Sequence, residues 1–203
     1  IYAGAISNAG TFQYGSTAVQ TLSGIISGAG ALSKSATSTL TLSGANTYTG
    51  ATTISAGILQ AGSSTSFGTG TVSITSGAAL DLNGQTMTST GGLTLNGTGI
   101  TSGGALLNSA SGTATYAGLV TLGSASSIVA TSGSIILSNT GTITGATFGL
   151  TLSGAGTGSS IASIIGTTTG TLTKQGAGTW TLSGVNTYTG ATTISAGILQ
   201  AGS

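Results

Sequence analysis

One stretch of this chain is written twice. Residues 39–63 read TLTLSGANTYTGATTISAGILQAGS and residues 179–203 read TWTLSGVNTYTGATTISAGILQAGS; they differ only at Leu40/Trp180 and Ala45/Val185. The same offset reaches upstream, where Leu32 and Lys34 fall on Leu172 and Lys174. Self-similarity at a fixed offset is the signature of repeat architectures. The second copy ends with the sequence, so a segment cut from a longer array is the expectation: a single solenoid over 1–203 with copies at 32–63 and 172–203. Units this alike are expected to stack coil on coil without change of register.

Within each copy the pattern is strand, turn, strand. Leu40 and Leu42 alternate with threonines, which puts both on one face of a strand. Residues 43–50 (SGANTYTG) are turn-rich, with Gly and Asn able to take positive φ. Residues 51–56 (ATTISA) predict a second strand with Ile54 inward, and Ile58-Leu59-Gln60 a third. The same style fills the middle: Val72 and Ile74, Leu80 and Leu82, Leu93 and Leu95 each alternate with polar neighbours. Glycine, 38 residues in all, interrupts every stretch long enough to hold a helical period, so helix is not expected. Strands this short must stack on others to hide an apolar face. The pattern therefore predicts an all-β chain wound as a parallel β-helix of eight to ten coils. Its inward ladder includes Leu42, Ile54, Leu59, Leu82, Leu95, Leu182, Ile194 and Leu199. An antiparallel sandwich fits less well, because its strands are richer in aromatics than the 4% found here.

Composition narrows function. A hydrophobic fraction of 38% and a mean hydropathy of +0.46 argue against disorder. Charged residues amount to 1%: Lys34, Lys174 and Asp81. Two lysines cannot neutralise a phosphate backbone or hold an anionic membrane, so neither nucleic acid nor direct membrane insertion is expected. No His or Cys is present, and Asp81 is the one carboxylate side chain. General acid–base pairs, Ser-His triads, zinc sites and calcium loops all lack their parts. The expectation is therefore no enzyme, no cofactor and no metal. Asp81, between Leu80 and Leu82, is expected to face solvent. Asn46 and Asn186 are expected to satisfy turn backbone, and Tyr48 and Tyr188 to pack over turns closed by Gly50 and Gly190. Thr-x-Thr pairs (39/41, 86/88, 113/115, 142/144, 171/173) open an alternative: an ice-binding face of ordered hydroxyls.

The run 172–203, LTKQGAGTWTLSGVNTYTGATTISAGILQAGS, resembles the passenger-associated repeat of bacterial autotransporters, and 32–63 is a slightly degenerate copy of it. GAALDLNGQT at 77–86 is similar to the segment that often follows that repeat. The resemblance implies a right-handed β-helix. It also implies display outside the cell or on its surface, anchored in the outer membrane through a C-terminal barrel that is not in this sequence. The role it implies is adhesion, aggregation or biofilm formation. The partners expected are the chain itself, end to end or side by side in fibres, and host or neighbouring-cell surfaces.

Overall fold

The computed structural model describes residues 1–88 and 91–202. Their strands pair in parallel throughout, each with its counterpart one coil later. Each coil has three sides. The first side runs through Thr11–Tyr14, Ala31–Lys34, Thr52–Ile54, Val72–Ile74, Leu93–Gly97 and the start of Val120–Ala130, and continues past Thr142–Ile143 to Ile164–Ile165. The second side has nine rungs, from Gln20–Leu22 and Thr39–Leu42 to Leu172–Lys174 and Thr192–Ile194. The third includes Ile6–Ser7, Ile26–Ser27, Ala114–Tyr116, Thr179–Leu182 and Ile198–Ala201. With coils ~4.8 Å apart, nine rungs make a rod about 40 Å long.

Alternation along each strand aims one set of side chains inward. Leu32 stacks on Thr52, then Val72, Leu93 and Val120; Leu42 stacks on Ala61. The result is one continuous core of Leu, Ile and Val with Tyr48, Tyr116, Phe67 and Trp180. The only helical turn among the described residues is Ile100–Ser102, where Thr101 and Ser102 hold positive φ of 46° and 64°.

Coil length is uneven. Inside the repeats Leu32 pairs with Thr52 and Leu40 with Leu59; Leu172 pairs with Thr192 and Trp180 with Leu199. Each copy thus pairs with itself, in short turns. In mid-chain the turns are longer: Leu80 pairs with Leu106 and Leu93 with Val120. The extra length holds the small lobe around Ile100–Ser102.

The two copies do not lie on the same sides. Ala31–Lys34 and Thr39–Leu42 occupy the first and second sides; their counterparts Leu172–Lys174 and Thr179–Leu182 occupy the second and third. The offset between the copies therefore winds six full turns plus one side. One copy cannot be superposed on the other by sliding along the axis, contrary to the expectation of a stack without change of register.

Candidate functional site

The residues that carry chemistry in this chain lie in and beside the repeats, and the fold turns most of them inward. Lys34 follows Leu32 by two on its strand, so both point into the core; Lys34 and Lys174 are both fully buried. A buried ammonium needs acceptors. That of Lys34 donates to the carbonyls of Ala36 and of Ala56, the latter at 3.1 Å on the next coil. Lys34 Nζ also lies 5.6 Å from the centre of the Tyr14 ring, one coil before. Lys174 donates to the carbonyls of Gln175 (2.9 Å), Gly176 (2.7 Å) and Ala196 (3.2 Å). Both lysines thus reach from the first strand to the last corner of their own repeat, Lys34 to Ala56 and Lys174 to Ala196. Burial lowers both ammonium pKa values. Each lysine is a corner staple joining two coils; no serine hydroxyl lies on either ammonium among the bonds of the described residues.

Residues 43–50, between the strands Thr39–Leu42 and Thr52–Ile54, form a full side of the coil, not a turn as their composition suggests. It has no strand ladder, yet Asn46 and Tyr48 point inward and are buried. Asn46 accepts from the Ile26 amide at 2.8 Å and donates to the Ser66 carbonyl at 2.8 Å, tying three successive coils. Asn186 accepts from the Ile165 amide at 2.8 Å. Tyr48 packs in the core with its hydroxyl 2.7 Å from Thr52, and Tyr188 repeats that contact with Thr192 at 2.8 Å. Desolvation holds the Tyr48 and Tyr116 phenols well above their ordinary pKa.

Gly50 belongs to a column the sequence did not reveal. Gly10, Gly30, Gly50, Gly70, Gly91 and Gly118 stand one above another, and a Cβ on any of the last five would fall inside 3.0 Å of the carbonyl oxygen of the glycine below. Gly190 sits likewise on the Gly170 carbonyl. Glycine is needed because backbone passes directly over backbone at this corner.

Asp81 corrects an expectation. Alternation does place it outward, with Leu80 and Leu82 inside, but it is 2% exposed. Its Oδ2 accepts from Gln60 (2.9 Å) and the Ser109 hydroxyl (2.6 Å), and its Oδ1 from the amides of Asn83 (2.9 Å) and Ser109 (3.1 Å). The turn at Ser109, on the next coil, closes over the carboxylate. Thr41 donates to Gln60 at 2.9 Å, so the ladder Thr41–Gln60–Asp81–Ser109 spans four coils and satisfies itself.

Leu42, Ile54, Leu59, Leu82, Leu95 and Leu182 are buried. Ile194 is not: it is 53% exposed, and Leu199 is half-buried. Both lie on the last described coil, where no further coil covers them. The Thr-x-Thr pairs fall on all three sides: 142/144 on the first, 39/41 and 171/173 on the second, 86/88 and 113/115 on the third. They make no single face. Ser203, the last residue of the second copy, lies outside the described residues.

Among the described residues no three His, Cys, Asp or Glu come together. Two hollows open at the ends of the coil stack. One is lined by Tyr2, Ile6, Phe12, Tyr14, Gln20 and Leu22; the other includes Leu182, Tyr188 and Leu199. Neither is lined by a charged side chain. The three charged side chains of the sequence, 0–2% exposed, are thus all inside, and the rod presents a surface without charged side chains.

The passenger-associated-transport-repeat matches this chain twice, at residues 32–61 and 172–201. Those are the two self-pairing, lysine-stapled segments. No curated protein and no solved structure gives a match.

Proposed function

Since the chain is an autotransporter passenger segment built on passenger-associated transport repeats, we propose that it is a non-catalytic, adhesive rod that joins bacterial surfaces through copies of itself. The family is one of secreted or surface-displayed passengers. Anchorage in the outer membrane would come from a barrel outside this sequence. Host and neighbouring-cell surfaces are the other partners such a rod would meet.

The observation that carries this reading is the rod's charge-free flank. Lys34, Lys174 and Asp81 are spent inside on carbonyls, amides and a glutamine. Nothing on the flank repels a second rod, and a surface with no net charge favours association. The non-catalytic reading rests on the same inventory: both lysines and the one carboxylate side chain are already committed to structure.

The test is to couple the purified 203-residue chain to beads at neutral pH and to follow clustering by light scattering and electron microscopy. Clusters that soluble chain competes away support the reading. Beads that stay single at high coating density overturn it.

A further inference from the structure

The surface offers several outward polar ladders, and their hydrogen bonds differ. On the second side the ladder Thr41–Gln60–Asp81 is bonded rung to rung. On the first side a second ladder runs Ser33, Thr53, Ser73, Thr94, Thr121, Thr144, one rung per coil without a gap. Its rungs are exposed or half-exposed and alternate with buried Leu32, Thr52, Val72 and Leu93. The hydroxyls of Ser33, Thr53, Ser73 and Thr94 make no hydrogen bond with other described residues; only Thr121 and Thr144 touch each other, at a long 3.4 Å. The ladder is therefore continuous and neutral, and four of its six hydroxyls are unspent. It crosses turns of very different length, short between Ser33 and Thr53 and long between Thr94 and Thr121, so it survives the irregular middle of the chain.

We infer that this first-side hydroxyl ladder is the surface on which a second copy of the chain lies, hydroxyl against hydroxyl. The inference rests on the self-association proposed above and names the side that performs it. Two features select a second copy as the occupant. A hydroxyl both donates and accepts, so one ladder complements another like it. The rung spacing, ~4.8 Å, is set by parallel strand pairing and is identical in every copy, so two ladders stay in step along their whole length. A partner of any other period would drift out of step within a few rungs. Six rungs make a contact ~24 Å long and one strand wide, far below the ~800 Å² per partner of a stable interface. A single pair is accordingly weak, and the contact becomes firm where many rods are displayed together.

The test compares three bead-coupled chains. T53K/S73K/T94K places three cations on the first side. T115K/S160K/T181K places the same number on the outward positions of the third side. T53V/S73A/T94V removes the hydroxyls with little change of shape and guards against lysines that disturb the fold, which circular dichroism checks for all three. Clustering is expected to fall at least tenfold in both first-side variants and less than twofold in the third-side variant. Unmodified beads that cluster while first-side and third-side variants lose equally, or neither loses, overturn this assignment and leave self-association standing. Unmodified beads that never cluster overturn both.

Discussion

Lys34 shows what a charge does when the chain offers it no counter-ion. Its ammonium is neutralised by carbonyl dipoles of its own corner and the next, and by the Tyr14 ring. Lys34→Met keeps an unbranched chain one atom shorter and removes the donor, leaving two corner carbonyls without their partner. Loss of such donors costs about 1–3 kcal/mol, which in a domain of this size lowers Tm by roughly 2–12 °C. A calorimetric or circular-dichroism melt reads it; an unchanged Tm would contradict the staple. The tyrosines give a second residue-scale prediction. Tyr48 and Tyr116 have phenol pKa values raised above the ordinary 10.0 by burial. A raised folded-state pKa contributes stability that is whole below pH 10 and is lost as pH climbs towards the folded value. The buried lysines act oppositely: burial lowers their pKa below 10.5, so their contribution rises with pH up to that value and is flat beyond it. Above about pH 10.5 the stability should therefore fall, and tyrosinate absorbance from these two rings should appear together with unfolding. Tyrosinate absorbance from Tyr48 and Tyr116 that precedes the loss of β signal would contradict their burial.

At the scale of the coil, the corner of stacked glycines sets how closely turns approach. Gly50→Ala drives a Cβ into the Gly30 carbonyl, whereas Gly112→Ala meets nothing within 4 Å. The first is expected to destabilise by about 1–3 kcal/mol and the second to be neutral or stabilising by up to about 1 kcal/mol; chemical denaturation of both variants compares them. Amide exchange tests the uneven coils. The short turns of the repeats close with their own strands, while the long turns, Leu80 to Leu106 and Leu93 to Val120, carry the lobe at Ile100–Ser102. Exchange should be faster around Leu106 than around Leu40. The strands themselves were legible in sequence, because Leu40/Leu42, Val72/Ile74 and Leu93/Leu95 alternate and glycine cuts each run short. The inward set followed from the same parity. What parity cannot give is the turn length, and everything that depends on it stayed hidden. The glycine column appears only once Gly30, Gly50 and Gly70 are known to be one turn apart. The cover over Asp81 comes from Ser109, a full long turn further along the chain. The SGANTYTG segment read as a turn because it has no alternating aliphatics, yet Asn46 and Tyr48 fill the inward positions that Leu or Ile fill elsewhere.

Over the whole molecule, six turns plus one side separate the two copies. Whatever a repeat presents is thus shown again a third of the way round the rod and roughly 30 Å along it. End-to-end joining that keeps the repeat pattern needs this rotation as well as a translation. The flank between the copies bears no charged side chain, so contact between rods is expected to be indifferent to salt. Attraction between opposite surface charges weakens with salt, because the screening length falls from ~30 Å at 0.01 M to ~3 Å at 1 M. Contact between neutral hydroxyl surfaces has no such dependence. The measurement is bead clustering by the unmodified chain across that salt range. Clustering is expected to persist within about twofold from end to end, because no screened attraction contributes to it. Clusters that disperse as salt rises, or that never form, would contradict that expectation.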